Sequence, residues 1–246
     1  MNKQIKNKKG QVLVELKNVR KEYGQKDKKV VAIADLSFKI IEGENISLVG
    51  ANGAGKTTAV EMIMKINNPT KGHIYYPFVS KKDKVNKYLG IQFQDSIYPQ
   101  YISVKSIVNF IINAYNLHIK ENELKELVEA FKIEKFYTRR ASALSGGQSQ
   151  RLNILLALLH KPKVVILDEL STGLDITTRN EFKKFIKLYA KKHHITIVLI
   201  SHDSGEIFDM TDKILILKAG KVVREIPTKS FANSNELEKY IEHNIN

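Results

Sequence analysis

Gly50-Ala51-Asn52-Gly53-Ala54-Gly55-Lys56-Thr57-Thr58 reads Gly-x-x-x-x-Gly-Lys-Thr directly after the apolar pair Leu48-Val49. A strand that must turn at once into a helix needs glycines, and their freedom lets successive backbone N–H groups point at phosphate oxygens. The helix opening at Lys56 adds its positive end. Lys56 is placed to neutralise the outer phosphates as a flexible point charge. The Thr57 hydroxyl is placed to ligate a Mg²⁺ that keeps most of its waters.

Two more apolar strands end in residues able to do chemistry. Val164 to Leu167 runs into Asp168-Glu169, and Ile195 to Ile200 runs through Ser201 into His202. In a doubly wound parallel sheet ligands sit at the carboxyl ends of the strands, so the three ends are expected to converge on one nucleotide. Asp168 would hold Mg²⁺ through a water. Glu169 is the candidate to orient or deprotonate the attacking water, and His202 to sense the γ-phosphate.

Leu144-Ser145-Gly146-Gly147-Gln148, followed by Gln150-Arg151, stands just ahead of a stripe of Leu152, Leu155, Leu156 and Leu159. Exposed N–H groups and a serine hydroxyl at a positive helix end suit an anion, although Ser145 can equally be a plain N-cap. One phosphate cradle is already present, so a second one implies a site shared between molecules.

Around these motifs the periodicity predicts strand–helix alternation. Val12 to Leu16 is expected as an edge strand, followed by strands at Ala32–Ile41 and Ile46–Val49, a helix from Lys56 to about Ile66, and strands at His73–Phe78 and Leu89–Phe93. Helical spacing then takes over at Ser103–Leu117 and Glu121–Phe131, with no strand between about 100 and 143. That stretch reads as a helical insert between strands. A helix with Phe182, Phe185, Ile186 and Tyr189 facing inward follows the acidic pair. Strands at Ile214–Leu217 and Lys221–Ile226 and a weakly striped tail from Ser230 end the chain. Tyr23 lies where the first strand gives out, as either a base-stacking aromatic or an ordinary rim tyrosine.

The 246 residues allow one large α/β domain or two small ones, and no apolar run approaches the ~18 residues of a membrane helix. The basic, polar start does not read as a signal peptide, and cytoplasmic residence is expected. There is no cysteine, which excludes disulfides and thiolate metal sites. The formal net charge of +14 comes almost wholly from scattered lysines rather than arginines, which favours solvated faces, with attraction to acidic lipid headgroups as the alternative, over a nucleic-acid groove.

From about Val12 to Ile226 the sequence resembles the ATP-binding cassette (ABC) proteins, the ATP-hydrolysing subunits of ABC transporters. The Leu-Ser-Gly-Gly-Gln signature separates that family from other P-loop ATPases. The resemblance implies a P-loop NTPase core with a mainly parallel sheet, an N-terminal antiparallel β subdomain and an inserted α-helical subdomain. One cassette would span 11–229, with a helical tail at 230–246. Tyr23 looks like the adenine-stacking aromatic, and Gly50, Asn52, Gly53, Ala54, Gly55, Lys56, Thr57 and Thr58 like the Walker A loop. Gln94 is similar to the Q-loop glutamine that touches Mg²⁺ and the attacking water. Ser145, Gly146, Gly147 and Gln148 match the signature, Asp168 and Glu169 the Walker B pair, Asp175 the D-loop aspartate and His202 the switch histidine. Gln92, two residues before Gln94, offers a second register, but Phe93-Gln94-Asp95 ahead of the insert favours Gln94. The family usually has proline after the catalytic glutamate, where this chain has Leu170.

The implied ligands are ATP and Mg²⁺. The implied partners are integral membrane transporter subunits and a second cassette, as homodimer or heterodimer, with the chain peripheral on the inner face of the cell membrane and no specific nucleic acid bound. The segment from Gly90 to Pro99 looks more like the exporter-type cassettes of drug and bacteriocin efflux, so export is expected. The alternatives are a soluble ABC ATPase acting on nucleic acid or ribosomes and a nucleotide-binding regulator. The first is disfavoured by a single cassette without heptads, the second by intact Glu169 and His202.

Overall fold

The structure is a computed structural model that describes residues 10–25, 28–92, 97–170 and 175–245. Among the described residues its framework is a sheet of nine strands: β1 (Val12–Tyr23), β2 (Val30–Ile41), β3 (Ile46–Val49), β4 (Lys71–Tyr75), β5 (Leu89–Gln92), β6 (Val164–Asp168), β7 (Thr196–Ile200), β8 (Lys213–Lys218) and β9 (Lys221–Pro227). They lie in the order β4-β1-β2-β9-β8-β3-β7-β6-β5. The run β8-β3-β7-β6-β5 is parallel throughout. At the other end β4, β1 and β2 pair antiparallel and join the rest through a parallel contact of Asp35 with Lys221.

Burial on both faces explains why the central strands are nearly continuous apolar runs rather than alternating ones. In β6, Val165 and Leu167 belong to one buried cluster and Val164 and Ile166 to another, on the opposite face. The same split divides Ile197 and Leu199 from Val198 and Ile200 in β7. Helix α1 (Lys56–Ile63) covers the face shared with the N-terminal hairpin. The helices α2 (Val104–Ala114), α3 (Glu121–Ala130), α4 (Gly146–Leu159), α5 (Ile176–Lys192) and α7 (Ser234–Ile245) contribute to the cluster on the other face, with α6 (Ser204–Met210).

The first strand is not at the edge, contrary to its alternating pattern. β4 pairs along its outer side, from Glu15 opposite Tyr75 to Arg20 opposite Lys71, and Leu13, Val14 and Leu16 are all buried. The local pattern cannot reveal a neighbour so remote in sequence. The first helix stops at Ile63, short of Ile66, because Lys65 turns into the left-handed region at φ 56.

The helical insert leaves and returns through one clasp. Ser103 bridges Arg140, Val104 N donates to Arg139 O at 3.0 Å and Ala141 N to Ile102 O at 2.9 Å. Ser103 also caps α2 by accepting from Ser106 N. The helix α4 then lies directly on β5, and Gly90 permits it: a Cβ there would come within 2.2 Å of Ala157 O.

Candidate nucleotide site

The sheet order places the carboxyl ends of β3, β7 and β6 side by side, and all three open onto one cleft of about 350 Å³. Its walls are Asn52, Gly53, Gly55, Lys56, Thr57 and Thr58 from the loop, Asp168 and Glu169 from β6, and Ile200 and His202 from β7. The expected convergence is therefore present in the geometry. Gly50 sits beneath, where a Cβ would lie 2.4 Å from Leu217 O, and Ala54 is buried.

Local backbone chemistry shapes the loop. Gly53 and Gly55 have φ of +79 and +103, and a Cβ on Gly55 would be 2.6 Å from Ile33 Cδ1 and 2.9 Å from Ala32 O. No L side chain adopts that geometry without strain. Ala54 N donates to Ala51 O at 3.1 Å, and Gly220 N donates to Ala54 O at 3.0 Å, tying the loop to the β8–β9 turn. The Lys56 ammonium is folded over the loop, donating to Gly50 O at 2.6 Å and Ala51 O at 3.1 Å.

The electrostatics of the cleft are those of charges held partly out of water. Burial pushes the Lys56 ammonium below its ordinary range, against the pull of Asp168 and Glu169. Burial and the neighbouring Glu169 raise the Asp168 carboxyl, while Lys56 and His202 oppose the rise. Each effect disfavours an isolated charge in a partly dry site. A bound anion beside Lys56 and a cation beside Asp168 would relieve both.

Among the described residues Glu169 is one of eight non-glycines with positive φ, at 51°, and its N–H donates to Ile200 O at 2.9 Å. Leu170 behind it is 1% exposed and part of the core, so the position usually held by proline serves here as an apolar anchor.

Other predicted residues lie outside the cleft. Tyr23 is half-exposed; its hydroxyl donates to Glu61 Oε2 at 3.4 Å and accepts from Asn67 Nδ2 at 3.3 Å, and Lys21 Nζ stands 5.0 Å from its ring centre. Ser145 is exposed at the start of α4, in a capping box with Gln148: its hydroxyl accepts from Gln148 N and its own N donates to Gln148 Oε1. The Ser145 O–H remains able to donate. Gly146 and Gly147 follow in the first turn. Asp175 caps α5 by accepting from Thr178 N at 2.9 Å, a bond that lowers its carboxyl below the ordinary range. Gln94 lies outside the described residues.

Sequence reasoning missed three residues of the wall, Val30, Val31 and Ala32. Val30 pairs with Tyr23 across the hairpin, and the two valines are 66% and 44% exposed. An apolar pair directly after a lysine-rich turn, with no polar alternation, was the available signal. Gln92, which the sequence offered only as a second register for Gln94, and Gln150, which it quoted only as following the signature, are 1% and 4% exposed in the interior just behind Asp168 and Glu169.

A family model described as "ABC transporter" matches residues 33–172, a span that takes in the loop, the signature and the Asp168–Glu169 pair. The chain belongs to the ABC transporter family. It is an ATP-binding cassette. Among curated relatives, the Fe(3+) ions import ATP-binding protein of Mannheimia succiniciproducens is 31% identical over 87% of this cassette and 61% of that protein. The ABC transporter ATP-binding protein NatA of Bacillus subtilis is 29% identical over 92% and 94% respectively. The cassette spans about two thirds or less of the iron-import relatives it matches. A solved dimeric ATP-binding cassette in a post-hydrolysis state bound to ADP and Pi superposes with a TM-score of 0.76 at 27% identity, covering 89% of this cassette and all of that chain. The expected likeness to exporters finds no support here, since relatives named for a direction are named for import of iron, methionine or spermidine/putrescine. Among the described residues no helix is long and apolar enough to cross a membrane.

Proposed function

We propose that this cassette hydrolyses ATP to drive transport through separate membrane-embedded subunits, one cassette spanning 11–229 followed by a short C-terminal tail at 230–246. The observation that carries the reading is the convergence of Lys56, Thr57, Asp168, Glu169 and His202 on one cleft. In this reading the loop N–H groups and Lys56 hold the β- and γ-phosphates, with Thr58 beside them, and the Tyr23 and Val30 side receives the base. Thr57 and Asp168 offer a hydroxyl and a carboxylate, the hard oxygen donors that Mg²⁺ prefers, with Gln94 as a third contributor. Mg²⁺ bound there supplies neutralisation of the charge that develops on the phosphates. Glu169 accepts the proton of the attacking water, and His202 contacts the γ-phosphate from the third strand end.

The signature residues do not line their own chain's cleft, and Gly146 supports a second cassette. A Cβ on Gly146 would meet nothing within 4 Å, so this chain's own packing does not require a glycine. A phosphate approaching from another molecule would. Two cassettes in head-to-tail, two-fold arrangement would complete each site with the other's Ser145, Gly146, Gly147 and Gln148, with Asp175 near the seam. The chain is then peripheral on the inner membrane face through its partners.

The test uses the absence of cysteine. Asn52→Cys and Gln148→Cys together, in a Glu169→Gln background, should form covalent dimers with a short thiol crosslinker only when ATP and Mg²⁺ are present, and each cysteine alone should give few. Equal yields from the single variants, or yields independent of ATP, would overturn the arrangement.

A further inference from the structure

Behind the cleft two buried amides form a chain of hydrogen bonds that the hydrolytic scheme does not use. Asp168 N donates to Gln92 Oε1 at 3.0 Å, and Gln92 Nε2 donates to Gln150 Oε1 at 3.3 Å. Gln150 Nε2 then donates to both Glu169 O at 3.0 Å and Leu170 O at 3.2 Å. The amide orientations are forced from both ends, because a backbone N–H only donates and a backbone carbonyl only accepts. Gln92 ends β5, while Gln150 stands one turn into α4, the helix that the signature opens. Three separate elements thus meet at the backbone of the acidic pair.

We infer that Gln150, backed by Gln92, is a positioning residue for Glu169, holding the peptide that follows it so that the carboxylate faces the cleft. The inference rests on Glu169 being the base. Its backbone needs such a hold: at φ 51 it occupies a region that a residue with a Cβ leaves readily when nothing opposes it. β7 secures the N–H side through Ile200 O, and the Gln150 side chain bonds the carbonyl side. Leu170 contributes no proline ring to stiffen the next peptide, and its own carbonyl is the second acceptor of Gln150. The attachment also ties the base to the signature helix, so a displacement of α4 against the sheet reaches the Glu169 peptide through one amide.

Misplacement of a reacting group by about 1 Å costs on the order of a hundredfold in rate. Gln150→Met keeps the length and bulk of the side chain and removes both hydrogen-bonding atoms. In steady-state hydrolysis by the full chain, it should lower kcat by roughly ten- to a hundredfold, with the KM for ATP and the affinity for a fluorescent ATP analogue within about twofold of wild type. Gln92→Met should lower kcat less, and the double variant no further than Gln150→Met, because the two act as one chain. Thr211→Val deletes an equally buried hydroxyl, bonded to Ile207 O far from the cleft, and controls for lost stability: it should lower the melting temperature and spare kcat. Wild-type kcat in Gln150→Met overturns the inference, and so does a loss shared equally between kcat and analogue binding. Glu169→Gln assayed alongside separates the two failures. If it turns over normally, the base assignment falls and the positioning role with it; if it is inactive while Gln150→Met is normal, only the positioning role falls.

Discussion

The loop at Gly50–Thr58 and the strand end at Asp168–Glu169 face the same cleft but keep their shapes by opposite means. The loop is closed by nearby atoms: glycine dihedrals, an Ala54–Ala51 turn and the Lys56 ammonium on Gly50 O and Ala51 O. The acidic end is a short piece of chain held at an unfavourable φ by Ile200 on β7 and by Gln150 on α4, with Gln92 on β5 behind. A phosphate cradle must exist before its ligand arrives, so its information is local. Under the role proposed for Glu169, the base is instead wired to elements distant in sequence.

The largest expected effect comes from the acidic end. Glu169→Gln should abolish steady-state hydrolysis, in line with a general-base contribution of ~10²–10⁴, and leave equilibrium binding of ATP intact. Phosphate release above about a tenth of wild type would move the role to His202 or Gln94. The loop should fail in the other way. Lys56→Ala removes charge from the outer phosphates in the ground state, so titration with a fluorescent ATP analogue should show roughly ten- to hundredfold weaker binding, as expected for hydrogen bonds to a charged group worth ~1.5–3 kcal/mol.

Two glycines sharpen the contrast. Gly55→Ala puts a methyl into Ile33 and the Ala32 carbonyl at a left-handed φ and should lower both the melting temperature and nucleotide affinity. Gly146→Ala meets open space in its own chain. It should leave both unchanged and lower turnover severalfold, at protein concentrations where cassettes pair. Equal losses of stability in the two variants would erase the distinction between a glycine used internally and one reserved for a partner.

The strand-end geometry therefore explains what the sequence could and could not disclose. Loop, acidic pair, signature and histidine are contiguous runs, and contiguous runs determine local backbone shape, so they were readable together with the central strands and the helical insert. Gln92 and Gln150 are 58 residues apart and acquire meaning only when β5, β6 and α4 are packed. β1 was misplaced for the same reason, since its outer neighbour β4 is remote in sequence. Val30 and Val31 precede the strand expected from Ala32, and only the fold brings them to the cleft wall.

The smallest expected effect concerns the third strand end. Ser201, next to His202, donates to Glu206 Oε2 at 2.7 Å, Glu206 is 1% exposed, and Arg179 pairs with Asp203 at 2.8 Å beside it. Burial raises the Glu206 carboxyl above its ordinary 4.5; Asp203 adds to the rise, whereas Ser201, Arg179 and Lys183 oppose it. Between the ordinary and the raised value the folded chain binds more protons than the unfolded one, so stability falls as pH rises through that window and levels off above it. Glu206→Gln removes the titration. Its melting temperature relative to wild type should climb as pH rises from about 4.5, by about 2–4 °C per kcal/mol for a chain of this size. A difference independent of pH would show that Glu206 is not the titrating group.

The resting place of Lys56 bears on speed. Because the ammonium already occupies the loop's own carbonyls, the incoming nucleotide finds a cradle that has no ordering left to do, and the lysine exchanges one set of oxygens for another over a short distance. Capture is then set by diffusion and by the field of the cleft rather than by a folding step. Under the head-to-tail arrangement proposed above, delay would belong instead to the meeting of two large bodies, and the waiting time between turnovers would be a property of the assembly and not of the pocket.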